Sequence, residues 1–155
     1  MKVTLRPLRS DDQEFLFKLY SSTREQEFAG LGWPAAQLET FLRMQFNAQQ
    51  RWYETLYAQA EHRIVEQDGR PIGRLLVQRN EDFTQLVDIA LLAEHRGQGI
   101  GGALLGELIQ QCTRDGSALR LQVLKTNPAQ RLYERLGFSK VSEDQMYFQM
   151  ERKPG

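Results

Sequence analysis

The run Arg96-Gly97-Gln98-Gly99-Ile100-Gly101-Gly102 is the segment of this sequence best suited to chemistry. Glycine lets backbone N–H groups come close to a ligand, and a helix following the loop presents its positive end. Together these suit phosphate oxygens. Three readings compete. Gly97-x-Gly99-x-x-Gly102 spells a dinucleotide fingerprint, but that motif wants an acid at the end of the next strand to hold a ribose, and Lys125 stands there. A nucleotide-triphosphate loop wants Gly-Lys-Ser/Thr, which does not follow. The third reading is a glycine-rich turn that binds nothing. Elsewhere, Asp88 is the one charge in an apolar strand, and reads either as a base or as a structural hydrogen-bonding group. Alternation sets it opposite Val87 and Ile89, which favours the second reading. Cys112 falls on an apolar helical stripe and reads as packing. His62 and His95 have no catalytic partner pattern.

These groups need elements to place them. Lys2 to Leu8 alternates as a short strand. Ser10-Asp11-Asp12-Gln13 reads as a capping box opening a helix with Phe15, Leu16, Leu19 and Tyr20 on one stripe. Gly30-Leu31-Gly32 is a loop, and Glu25 and Glu27 are expected in the connection that leads to it. Pro34 suits the first position of a second helix, which continues through Leu38, Phe41, Leu42 and Phe46. His62 to Glu66, Pro71 to Val77 and Gln85 to Leu92 read as a three-strand meander, with Asp68-Gly69 as its first hairpin turn. The third strand is apolar on both faces apart from Asp88, which implies a central position.

The glycine loop then opens a helix carrying Leu104, Leu105, Leu108, Ile109 and Cys112, ended by Asp115-Gly116. Leu119, Leu121 and Val123 alternate as a strand. Asn127-Pro128 opens a short helix that Gly137 stops, and Ser139 to Val141 with Met146 to Met150 form a closing strand pair. The expected order is β-α-α-β-β-β-α-β-α-β-β, a mixed α/β fold. One domain over residues 1–152 with a short tail at 153–155 would hold it.

Arg96-x-x-Gly99-x-Gly101 resembles the pyrophosphate loop of the GNAT superfamily of N-acetyltransferases. Downstream, Asn127-Pro128-Ala129-Gln130-Arg131-Leu132-Tyr133-Glu134-Arg135-Leu136-Gly137-Phe138 resembles that superfamily's asparagine-to-tyrosine segment with its closing Leu-Gly-Phe. The resemblance implies a mostly antiparallel sheet of roughly six or seven strands with about four helices. It implies acetyl-CoA as co-substrate, with no metal, and direct transfer of the acetyl group to a primary amine of a small molecule or a peptide. The pyrophosphate would lie on the N–H groups of Gly97, Gln98, Gly99, Ile100, Gly101 and Gly102, with Arg96 either adding charge or capping the turn. The pantetheine arm would run beside Ile89, Ala90 and Leu91, and a backbone N–H near Leu91 would polarise the thioester carbonyl. Asn127 would contact the arm or cap the helix. Tyr133 would be the general acid, its competing role being a core aromatic at i+4 from Ala129. The candidate bases are Asp88 and Glu27, with Glu25 beside it. In many members eight positions run from the asparagine to the tyrosine; here there are seven, which turns Tyr133 back by about 100° on a continuous helix. A non-catalytic acyl-CoA sensor on the same fold is the alternative.

The formal net charge of the 155 residues is zero, so no overall field recruits nucleic acid or an anionic membrane. No segment has the pattern of a signal peptide or a membrane span, and one cysteine excludes an internal disulfide. A cytoplasmic protein is expected, with a homodimer possible through the C-terminal strand pair. The aromatic-rich stretch from Phe28 to Tyr57 is expected to shape the acceptor site.

Overall fold

Period-two and helical patterning both carry through from sequence to structure. The computed structural model describes residues 2–155, the side chain of Gln26 excepted. Along it run β1 (Val3–Pro7), α1 (Gln13–Phe28), α2 (Ala35–Leu56), β2 (Glu61–Gln67), β3 (Arg70–Arg79), β4 (Phe83–Leu91), α3 (Ile100–Asp115), β5 (Ala118–Leu124), α4 (Gln130–Arg135), β6 (Ser139–Glu143) and β7 (Tyr147–Arg152). This is the expected order. The strands hydrogen-bond in the sequence β1-β2-β3-β4-β5-β7-β6, a mostly antiparallel sheet with β4 at its middle. Parallel neighbours need a long crossover, usually a helix, and α3 joins β4 to β5, which run parallel. Asp68 and Gly69 take φ of 51° and 81°, the left-handed pair that a two-residue hairpin needs.

Two compact units share these elements: Met1–Leu75 with Ile89–Gly101, and Leu76–Asp88 with Gly102–Gly155. In the first, α1 and α2 bury one apolar stripe each. Leu16, Phe17 and Tyr20 from α1 meet Leu42 and Phe46 from α2 above Ile64 of β2. The rings of Phe17 and Phe46 sit edge to face at 5.6 Å. Burying each such side chain contributes about 2 kcal/mol. In the second unit, Leu119, Leu121 and Val123 are buried while Arg120, Gln122 and Leu124 between them are exposed. That is the alternation read from the sequence. β5 pairs antiparallel with β7, setting Leu121 against the fully buried Met150. β6 closes this side of the sheet with every residue exposed and a register shift between Lys140 and Ser142.

The helices differ from expectation in three places, each for a local physical reason. The Ser10-to-Gln13 capping box is not formed. Residues Ser10–Asp12 make a 3-10 turn, and the Asp12 carboxylate instead accepts the N–H of Arg9 at 2.7 Å. Arg6 holds that carboxylate through both oxygens, at 2.8 and 2.9 Å. Its Nε also reaches Glu66 of β2 at 2.8 Å. Pro34 stands one residue ahead of the helix with an extended ψ of 144°, and its carbonyl accepts the N–H of Leu38. Glu25 and Glu27 lie on α1 and not in a connecting loop, since no residue before Gly30 breaks the helix.

Asp12 is 5% exposed, and its pKa is held below the ordinary carboxylate range, first by the hydrogen bonds from Arg6. Asp12→Ala leaves the Arg6 cation only partly matched and should cost roughly 3 kcal/mol in chemical denaturation at pH 7. A carboxylate with a lowered folded pKa stabilises above its unfolded pKa. The difference between wild type and variant should therefore shrink as pH falls below about 4.

Candidate functional site

Ile89, Ala90 and Leu91 end β4. The parallel register with β5 runs from Phe83 opposite Ala118 to Leu86 opposite Leu121, so these three residues extend past it. The N–H of Leu92 donates to the carbonyl of Ile72 in β3 at 2.8 Å. The chain then makes a 3-10 turn over Ala93–His95, where the N–H of Ala93 finds Ser22 Oγ at 3.2 Å. The glycine loop follows.

Gly97 and Gly99 take φ of 76° and 83°, which side-chain-bearing residues rarely adopt. A methyl group placed on either would meet nothing within 4 Å, so the space in front of the loop is open to a ligand. Ile100 is buried and starts α3, and the Gln98 side chain donates to the Glu94 carbonyl at 3.2 Å. Both residues therefore leave their backbone to a ligand. Gly101 and Gly102 stand in the first turn of α3, where N–H groups lack partners within the helix. This arrangement fits a pyrophosphate. Arg96 Nε donates to the carbonyl of Leu91 at 2.9 Å, which ties the loop to the end of the strand.

In the second unit, Tyr133 stands half-buried on α4 with its ring edge-on to Phe138 at 5.8 Å. Burial raises its pKa above the ordinary tyrosine value, and the negative charge of Asp88 raises it further. The phenol is therefore a proton donor at neutral pH. Asp88 is half-buried on β4. Asn127 does not open a helix. Its Oδ1 accepts the N–H of Ala129 at 2.9 Å, residues 128 and 129 turn, and α4 begins at Gln130. Gln130 Nε2 also caps the ends of β5 on the carbonyls of Leu124 and Lys125. Because the first steps from Asn127 are a turn, the angular offset of a continuous helix does not apply to Tyr133. A 320 Å³ cavity is lined by Lys125, Thr126, Asn127, Pro128, Gln130 and Arg131.

Glu27 is paired with Arg24 at 3.1 Å on the surface of α1, and Glu25 is exposed. Among the described residues no cluster of three or more His, Cys, Asp or Glu could hold a metal. No described helix is long and apolar enough to cross a membrane. One residue escaped the sequence reading altogether. Gly73 lies inside β3, buried, against the backbone of Ala90 and Leu91. A lone glycine within an apolar strand run was the available signal.

A model of the acetyltransferase (GNAT) family matches residues 16–138. The [ribosomal protein bS18]-alanine N-acetyltransferase of Haemophilus influenzae is 36% identical over 87 residues, a match that spans 56% of this chain and 59% of that protein. Among solved structures, the PaiA N-acetyltransferase of Thermoplasma acidophilum, in complex with coenzyme A, superimposes with a TM-score of 0.73 at 23% identity, covering 99% of both chains. The ribosomal-protein-S18-alanine N-acetyltransferase of Escherichia coli gives 0.70 at 20% identity, covering 99% of this chain and 95% of that one. These likenesses extend to the fold. The family match takes in the end of β4, the glycine loop and the segment from Asn127 to Phe138, and on that ground the chain belongs to the acetyltransferase (GNAT) family.

Proposed function

We propose that this chain moves an acetyl group from acetyl-CoA to the terminal amine of a protein or peptide by direct attack in a ternary complex. The observation that carries the reading is the glycine loop. Two left-handed glycines face open space directly ahead of the first turn of α3, at the end of the strand that runs past its parallel partner. Backbone N–H groups in that setting bind phosphate oxygens without charged side chains. Membership of the family supports acetyl-CoA as the ligand. The protein acceptor is supported by the Haemophilus influenzae relative, whose name states that it acetylates an alanine of a ribosomal protein.

Acetyl-CoA supplies the acetyl group as a thioester. The Leu91 N–H polarises the thioester carbonyl, where negative charge gathers on attack. An amine is protonated at neutral pH, so it must lose a proton before it attacks, and the departing sulfur gains from a proton donor. Tyr133 serves as that donor, since burial and Asp88 both keep it protonated. Asp88 is the base candidate we take, because its charge acts on the acid from the same strand end that carries Leu91. A carboxylate and a neutral phenol would divide the roles of base and acid between two groups.

Four outcomes are expected. Gly99→Glu forces a side chain onto a φ of 83° and into the phosphate space. Calorimetry should find coenzyme A binding lost while circular dichroism stays that of the wild type. Retained affinity would move the phosphates elsewhere. Tyr133→Phe should lower kcat by about 100-fold toward a peptide with an N-terminal alanine, with coenzyme A affinity nearly unchanged. Binding without turnover by the wild type, over peptide and small-molecule amines alike, would make the chain a sensor. The pKa of Tyr133 is raised, so its ionisation should close the pH profile of kcat above pH 10. Asp88→Asn should move the tyrosinate absorbance titration of Tyr133 to lower pH, because the charge that opposes ionisation is gone.

A further inference from the structure

Gly73 does not take a positive φ, so backbone freedom does not explain a glycine there. Space does. A methyl group built on Gly73 collides with the carbonyl oxygen of Ala90 and comes within 2.7 Å of Leu91 Cδ2 and 3.2 Å of Leu91 Cα. The oxygen and the Cα are backbone, so no rotamer change relieves the clash. In a trans peptide the C=O and the N–H point in opposite directions. The peptide whose oxygen faces Gly73 therefore sends its N–H, that of Leu91, away from β3. The next peptide is gripped at both ends. Its N–H is on the Ile72 carbonyl at 2.8 Å, and its oxygen, that of Leu91, accepts Arg96 Nε at 2.9 Å.

We propose that Gly73 and Arg96 are positioning residues that together aim the Leu91 N–H at the thioester carbonyl. Gly73 allows the Ala90–Leu91 peptide to sit against β3, and Arg96 fixes the following peptide from the other side. The inference rests on the acetyl-transfer reading for what the N–H does. The grip on the two peptides stands apart from that reading and is measurable without turnover.

Native-state amide exchange of the free protein tests the grip. The Leu92 amide should exchange at least tenfold faster in Gly73→Ala and in Arg96→Leu than in wild type. In Arg96→Gln it should stay near the wild-type rate, since glutamine keeps a donor and loses only the charge. Wild-type exchange at Leu92 in both Gly73→Ala and Arg96→Leu would overturn the proposal, whatever the protein acetylates. Should Gly73→Ala fail to fold, the two Arg96 variants decide alone, because that side chain is on the surface.

Kinetics with the alanine peptide test the aim. Arg96→Leu should lose tenfold or more in kcat with coenzyme A affinity within about threefold, on the scale of a misdirected oxyanion donor, and Arg96→Gln should recover most of it. Leu42→Val, in the helical core, should lower the melting temperature without moving kcat, which separates aim from general loosening. Arg96→Leu and Arg96→Gln weakening coenzyme A equally, with kcat intact, would make Arg96 a phosphate cation and overturn the proposal. A wild type that does not turn over would fail the acetyl-transfer reading, while amide exchange still decides on the grip.

Discussion

A peptide unit cannot turn its carbonyl without turning its N–H, and the site depends on that constraint at the end of β4. The strand must keep its hydrogen bonds with β3 on one side. In the proposed transfer it would also offer a donor on the other. Three neighbouring groups meet both demands: the missing side chain at Gly73, the Ile72 carbonyl and the guanidinium of Arg96. The glycine loop inherits its starting point from the same place, because Arg96 is both the anchor on Leu91 and the first residue of the loop.

The electrostatics follow a second division of labour. Phosphate oxygens would meet neutral N–H groups of the loop and of the first turn of α3, so charge is not needed where the coenzyme is held. In the proposed transfer, charge is used where protons move. Asp88 acts on Tyr133 in the second unit, where the phenol is kept from ionising by burial first and by the carboxylate second. Arginines elsewhere serve architecture. Arg6 joins β1 to Asp12 and Glu66, and Arg152 Nε holds the Leu136 carbonyl near the end of α4 at 2.9 Å.

Much of this was legible in the sequence because it depends on short-range patterns. Leu119, Leu121 and Val123 alternate, and they are buried. Asp68-Gly69 spells a hairpin and makes one. The loop from Arg96 to Gly102 announces itself by glycine content alone. What could not be read depends on which partner each group finds once the chain has folded. Asp12 caps Arg9 in place of the expected Ser10 box because Arg6 from β1 fixes its carboxylate. Gly73 matters because of what stands 17 and 18 residues later, at Ala90 and Leu91. Asn127 was expected to open a helix, but its side chain folds back onto Ala129 and the helix begins later, at Gln130.

β6 carries a consequence of another kind. An edge strand with all five residues exposed is a template on which other chains can add, and a cell full of newly made copies would suffer for it. The register shift between Lys140 and Ser142 breaks the even spacing that such growth requires, and Lys140 sets a positive charge beside the break. The irregular edge thus works against regular strand-by-strand growth from this side of the sheet.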